Sequence, residues 1–175
     1  DIRILDENGN ILPPNTIGEI YSRFPLLDFT YHGKPESRAE IDQDGYITSG
    51  DMGYMDEDGY LFIADRAKDM VISGGVNIYP AEIEAVLHNY PGLKDCAVFG
   101  IPDEEFGESV MAVLEVELGN SISIDHVKSF LREHLAGFKV PRFIEIGKDL
   151  PREDSGKIFK RRLRDKYWEN SGRKI

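Results

Sequence analysis

Cysteine is almost absent. Cys96 is the only one in 175 residues, which excludes an intrachain disulfide framework and any zinc site built on clustered cysteines. A reducing, cytoplasmic setting is the expectation. Long apolar runs are missing too: none approaches the roughly 20 residues that cross a bilayer, so no membrane span is expected. The chain opens on Asp1-Ile2-Arg3 without the apolar core of a signal peptide and without an initiator methionine, so residue 1 is expected to lie inside a longer protein. Basic residues are in the minority, 21 Lys+Arg against 32 Asp+Glu for a net charge of −11. That balance argues against nonspecific nucleic-acid binding. The four histidines, His32, His88, His126 and His134, show no metal-ligand spacing, and no metal site is expected.

What is present is a globular composition, 41% apolar and 30% charged, long enough for one ordinary domain or two small ones with a buried core. The charge is uneven. Residues 1–138 carry 9 basic against 26 acidic residues, whereas residues 139–175 carry 12 against 6. A basic ending on an acidic body can face a polyanion, or it can be a solvated helix face laced with ion pairs.

Along the chain the hydrophobic pattern changes once. The first 64 residues read as short strands between turns. Ile2–Leu5 ends at Asp6-Glu7-Asn8-Gly9, Ile17–Phe24 alternates, and Asp44-Gly45 and Asp58-Gly59 are turn dipeptides followed by aromatic and apolar residues. Asp56-Glu57-Asp58-Gly59 lacks the spacing of a calcium-binding EF-hand loop and reads as a hairpin turn. From residue 65 strands and helices alternate. Asp69–Ile72 and Val76–Ile78 flank Ser73-Gly74-Gly75, and a helix starts near Pro80. Strands follow at Leu93–Ile101 and Ser109–Val116, a helix at Ile124–Leu135, a strand at Val140–Ile146 and a last helix at Lys160–Trp168. The fold class is therefore α+β: a β-rich piece followed by a small α+β domain with a short mixed sheet and flanking helices.

Four stretches carry candidate chemistry. In Ser49-Gly50-Asp51 a carboxylate beside a glycine can accept both hydroxyls of a ribose diol, although the tripeptide is also common in plain turns. Asp65-Arg66-Ala67-Lys68-Asp69 is either a solvated linker or a hinge with an arginine for phosphate or ribose oxygens. Gly74-Gly75 permits a close backbone approach to a ligand, or simply makes a turn. It is not a P-loop, because the Gly-x-x-x-x-Gly-Lys spacing is absent. Finally, Ser155-Gly156-Lys157 puts a lysine on a polar loop from which it could reach an anionic intermediate, or merely keep the surface soluble.

In this order the stretches resemble the C-terminal core motifs of the acyl-adenylate-forming superfamily, which includes AMP-forming acyl-CoA synthetases, peptide-synthetase adenylation domains and beetle luciferases. Gly18-Glu19-Ile20, Tyr31-His32-Gly33-Lys34-Pro35-Glu36, Ser49-Gly50-Asp51, Asp65–Asp69, Gly75–Glu84 and Ser155-Gly156-Lys157 fall in family order over nearly the whole chain. The resemblance implies that Asp51 binds the AMP ribose hydroxyls and that Arg66 also contacts the nucleotide. It implies that Lys68 is the hinge between half-reactions, that Gly74 and Gly75 line the pantetheine tunnel, and that Lys157 supports adenylate formation. Two positions depart from the pattern. Ser49 stands where many relatives have threonine, and Ile72 stands where some carry a lysine, so no lysine role transfers there.

The same resemblance divides the chain into 1–66, the β-rich end of a nucleotide-binding domain, and 67–175, a mobile C-terminal domain. The phosphate loop and acid pocket of the family lie N-terminal to anything here, which implies a parent of ~500–600 residues, longer than one domain. The parent is expected to join a carboxylic, most simply fatty, acid to CoA with ATP and magnesium as co-substrates. The rivals are a domain that loads a carrier protein and, for the isolated chain, a noncatalytic interaction module. Unpartnered strands in 1–64 leave a homodimer open.

Overall fold

The short alternating stretches at the start of the chain become an antiparallel sheet. It contains β1 (Ile2–Leu5), β2 (Gly18–Ser22), β3 (Asp42–Gln43), β4 (Tyr46–Met55) and β5 (Leu61–Arg66), with a one-turn helix α1 (Ser37–Glu40) between β2 and β3. The strand order is β1-β2-β4-β3, and β5 also pairs with β4. The structure, a computed structural model, describes residues 1–24, 29, 31–34 and 36–169. Pro35 of the Tyr31–Glu36 stretch and residues 170–175 of the expected second domain lie outside the described residues. The chain divides into two units, Asp1–Lys68 and Asp69–Ile175.

In the first unit aspartates build the turns. Asp6 Oδ1 accepts the amides of Asn8 and Asn10 at 2.9 and 2.8 Å. Asp56 Oδ1 does the same for Asp58 and Tyr60 at 3.0 and 2.8 Å. The carboxylate of the Asp56–Gly59 turn is thus committed to backbone N–H groups, as a hairpin turn requires. Asp44 and Gly45, at φ 54° and 81°, form the two-residue loop between β3 and β4, where both central residues need positive φ. Ile4, Leu5, Ile20 and Tyr46 are buried, and the guanidinium groups of Arg3 and Arg23 lie 3.9 and 4.7 Å from the Tyr46 ring centroid.

The second unit is a mixed sheet of β6 (Val71–Ser73), β7 (Val76–Ile78), β8 (Leu93–Asp103), β9 (Gly107–Val116) and β10 (Phe143–Gly147). Its order is β10-β9-β6-β7, and β8 also pairs with β9. β10 is parallel to β9 and the other pairs are antiparallel. A parallel neighbour needs a crossover, which the helix α3 (Ile124–His134) supplies. β10 starts later than the pattern predicts, at Phe143. Gly137–Lys139 forms a 3-10 turn, and Pro141, which has no N–H to donate, follows it.

The long apolar runs of β8 and β9 reflect burial on both faces. On one face Cys96, Val98, Val110, Ala112 and Leu114 pack with Ile83 and Leu87 of α2 (Pro80–Leu87) and with Val127 and Leu131 of α3. On the other, Ala97, Phe99, Ile101, Met111 and Val113 pack with Leu150 and with Leu163 and Tyr167 of α4 (Lys160–Trp168). Trp168 closes that side, its Nε1 donating to the Gly100 carbonyl at 3.0 Å. Among the described residues no helix is long and apolar enough to cross a membrane.

Burial, reinforced by the charges of Glu84 and Asp95, pushes the Cys96 thiol up from 9.0 to about 12. A folded-state pKa above the unfolded one contributes stability that is present below pH ~9 and is lost as pH rises towards 12. We therefore expect the stability of the wild-type chain relative to Cys96→Ala to decline between pH 8 and pH 10.5, measured by urea unfolding. An unchanged difference would show that the thiol is not held neutral.

Candidate functional site

Asp51 and Arg66 face each other across β4 and β5 as registered partners. The Arg66 Nε lies 3.6 Å from Asp51 Oδ1, and the Ser49 hydroxyl donates to Asp51 Oδ2 at 2.5 Å. Each carboxylate oxygen has therefore one neighbour and retains lone-pair capacity for further donors. The Asp51 side chain is about one-third exposed and that of Arg66 about half. Gly50, at φ 77°, sits in open space, and its amide donates to Thr48 Oγ1, which in turn donates to Glu19 on β2. The strand carrying Asp51 is thus tied to β2 by side chains just where the register of the two strands shifts.

Lys68 occupies the 3-10 turn Ala67–Asp69 that directly follows β5. It is the last residue of the first unit.

Gly74 and Gly75 connect β6 to β7 as a two-residue loop with φ 58° and 81°, a conformation that glycine adopts without strain. The Gly74 amide donates to the Phe106 carbonyl at 2.8 Å, which ties the hairpin to the β8–β9 connection. Beside it opens a cavity of about 500 Å3 bordered by Gly74, Val76, Phe106, Phe138 and Arg142. Sequence reasoning missed this cavity. Phe106 and Phe138 lie far apart in the chain, and the only available signal was an aromatic residue next to a glycine in each of two connecting loops. Both rings are substantially exposed. One carboxylate organises the wall: Asp103 Oδ1 accepts the amides of Glu105 and Phe106, both at 3.0 Å. Its Oδ2 takes the Ser109 hydroxyl at 2.5 Å and Arg142 Nη1 at 3.0 Å. The Ser109 hydroxyl first, then the Phe106 amide, holds Asp103 below the usual carboxylate range.

Lys157 stands on a small hairpin. Gly156 N donates to the Glu153 carbonyl and Glu153 N to the Lys157 carbonyl, both at 2.8 Å. Arg152 bridges to Ile158. With Gly156 at φ 85°, this is a three-residue loop whose glycine takes the left-handed position. The glycine fixes a turn rather than loosening the chain. The Lys157 side chain is exposed, and none of the interactions among the described residues engages its ammonium.

The structure thus brings Asp51 and Arg66 together, sets Gly74 at the rim of a cavity with Gly75 next to it in the turn, and gives Lys157 a defined turn. Among the described residues no group of three or more His, Cys, Asp or Glu side chains could hold a metal ion.

Residues 82–157 match the family described as the AMP-binding enzyme C-terminal domain. The chain is 44% identical over 173 residues to the fatty acid–[acyl-carrier-protein] ligase ScoC of Streptomyces coeruleorubidus, covering 99% of this chain and 33% of that protein. It is also 44% identical over 167 residues to a feruloyl-CoA synthase of an Amycolatopsis species, covering 95% and 34%. Among solved structures it resembles ATP-bound MatB from Rhodopseudomonas palustris, with a TM-score of 0.88 and 39% identity over 95% of this chain and 34% of that one. The chain spans about a third of the length of these relatives.

The two hairpin glycines differ in their surroundings. A Cβ on Gly75 meets nothing within 4 Å, whereas one on Gly74 meets Phe106 Cδ1 at 3.1 Å. Each alanine substitution should cost about 1–2 kcal/mol through the left-handed backbone alone, read from urea melts. Only Gly74→Ala should also move the Phe106 ring, seen as a shift of its aromatic NMR signals. Equal Phe106 signals in both variants would contradict the close packing of the ring on Gly74.

Proposed function

Since the chain belongs to the AMP-binding enzymes, whose C-terminal domain it carries over residues 82–157, we propose that it is part of an ATP-dependent, AMP-forming acid–thiol ligase. In this reading a carboxylate attacks the α-phosphate of ATP, and pyrophosphate leaves as acyl-AMP forms. The thiol of CoA then attacks the acyl carbonyl and AMP departs. Magnesium enters with the nucleotide phosphates as part of the substrate. The domains are 1–66, the end of the nucleotide-binding domain, and 67–175, the mobile domain.

The observation that carries the proposal is the turn of Lys157. It holds an exposed ammonium, unengaged among the described residues, on a hydrogen-bonded hairpin, and such a cation can meet charge that develops at a phosphate during bond formation. Asp51 receives the ribose hydroxyls on the lone pairs that Ser49 and Arg66 leave open, and Arg66 adds a second contact to the nucleotide. Lys68 is the hinge, a role supported by its place in a short turn at the end of the first unit. Gly74 and Gly75 line the path of the thiol, because a backbone without side chains lets a thin pantetheine arm pass closely. The adjoining cavity, lined in part by Phe106 and Phe138, suits the adenine end of CoA.

The acyl substrate we propose is a fatty acid, in line with the name of the Streptomyces relative; the feruloyl-CoA synthase makes ferulate the control acid. CoA as acceptor is proposed in line with the name of the feruloyl-CoA synthase, and the name of the Streptomyces relative makes an acyl carrier protein the control acceptor. The 175 residues alone should form no acyl-AMP, since they span about a third of such enzymes.

In the full-length protein Lys157→Ala should lower the rate of acid-dependent pyrophosphate release by roughly 10²–10³, the scale of one preorganised electrostatic group. Given synthetic acyl-AMP and CoA, the same variant should make thioester at the wild-type rate. Equal loss in both steps, or none, would overturn the role. Asp51→Ala should behave differently and weaken both half-reactions by about 1–3 kcal/mol, because the ribose hydroxyls lose their acceptor while AMP is held throughout. Unaltered ATP affinity in a titration would refute that assignment. A pyrophosphate-release screen of fatty acids of graded length against ferulate decides the acid.

A further inference from the structure

The charges around Arg152 form a device that the proposed reaction does not by itself require. Arg152 Nη2 lies 2.7 Å from Asp95 Oδ2 on β8 and 3.3 Å from Glu115 Oε2 on β9. Its other nitrogen, Nη1, donates to the Gly156 carbonyl at 3.1 Å, one residue before Lys157. Glu115 is buried to 3% exposure and is also paired with Lys94. Asp95 is itself held in place, its Oδ1 accepting the Cys96 amide at 2.9 Å. The fork of one guanidinium therefore joins two carboxylates anchored in the most buried strands of the domain to the carbonyl at the base of an exposed turn.

We infer that Arg152 is a positioning residue, whose guanidinium ties the turn carrying Lys157 to the Asp95 and Glu115 carboxylates and so fixes where the ammonium is delivered. This rests on the role of Lys157 proposed above. The geometry favours arginine for the task. A planar fork can donate to carboxylates with one nitrogen and to a carbonyl with the other, whereas an ammonium on a flexible stem offers no such fixed span. The turn has no other side-chain tie to the sheet among the described hydrogen bonds and ion pairs. The backbone hydrogen bonds Glu153 N to Lys157 O and Phe159 N to Pro151 O define the shape of the turn, Leu150 and Ile158 pack its two ends against the sheet, and Arg152 adds the polar tie that holds the part between them.

The test uses Arg152→Lys in the full-length protein, with Arg152→Ala as a second variant. The lysine variant keeps a positive charge against the buried carboxylates and so preserves the fold. Deuterium exchange followed by mass spectrometry should rise in peptides covering residues 151–159 and stay at the wild-type level in peptides from β8 and β9. Acid-dependent pyrophosphate release should fall roughly ten- to a hundredfold in kcat, the scale of a small misplacement of a reacting group. The KM for ATP should change less than twofold, and thioester formation from supplied acyl-AMP should be unaffected. In a Lys157→Ala background Arg152→Lys should cause no further loss of adenylation, because the residue acts through the lysine.

Wild-type exchange in 151–159 would overturn the inference, as would a loss that adds fully to that of Lys157→Ala. If exchange rises in Arg152→Lys but Lys157→Ala adenylates normally, the tie between Arg152 and the turn stands and the proposed role of Lys157 fails.

Discussion

Burial of the β8–β9 hairpin on both faces is the constraint on which the second unit depends. Nine residue pairs in continuous register run from Asp95↔Glu115 to Asp103↔Gly107, and Leu93↔Val116 follows across a register shift. Their side chains alternate between a face covered by α2 and α3 and a face covered by Leu150 and α4. No polar side chain fits this ladder unless it is paired, and the exceptions are informative. Glu115 is buried against Lys94 and Arg152, and Ser109 donates to Asp103. Both lie where the hairpin hands over to a candidate element, the first to the Lys157 turn and the second to the wall of the cavity. A slip of one residue in this register would exchange the two faces and put Glu115 where Leu114 now packs.

The acidic excess of the chain finds its use in the loops. Asp6, Asp42, Asp56 and Asp103 each accept one or more backbone amides of a following turn. A carboxylate so placed satisfies N–H groups that a tight turn leaves without partners. This is why Asp56-Glu57-Asp58-Gly59, which offers acidic residues in a row, serves as a hairpin turn. The same device acts at the cavity, where Asp103 holds the Phe106 amide and the Arg142 guanidinium on one side chain.

Local features of the fold were legible in the sequence to the extent that their causes are local. Gly74-Gly75 between the short strand stretches Val71–Ser73 and Val76–Ile78 carries the local signature of a tight turn with positive φ. The apolar runs of β8 and β9, and Pro80 at the head of α2, likewise carry their own physical signature. The parallel pairing of β10 with β9 does not, because nothing within Phe143–Gly147 states which neighbour it takes. The candidate site divides along the same line. Asp51 and Arg66 stood out as residue types, but their register partnership arises only when β4 and β5 fold together. The cavity joins Phe106 to Phe138, and Arg152 meets Asp95 57 residues away. Such contacts are properties of the sheet, and no window along the chain contains them.

The two cationic groups of the proposed reaction are held in contrasting ways. Arg66 sits on a strand, and its backbone position follows from the β4–β5 ladder, so its side chain needs only a loose 3.6 Å approach to Asp51. Lys157 sits on a turn outside any sheet, where a ladder cannot fix it. An ion pair to Lys157 itself would hold the ammonium but would also neutralise the charge that the chemistry needs. Fixing the turn through a neighbouring arginine avoids that conflict: the guanidinium takes the carboxylates, and the ammonium keeps its charge uncompensated. A reactive cation on a surface turn is therefore best positioned through backbone contacts supplied by a different side chain, and residues 152–157 have that arrangement.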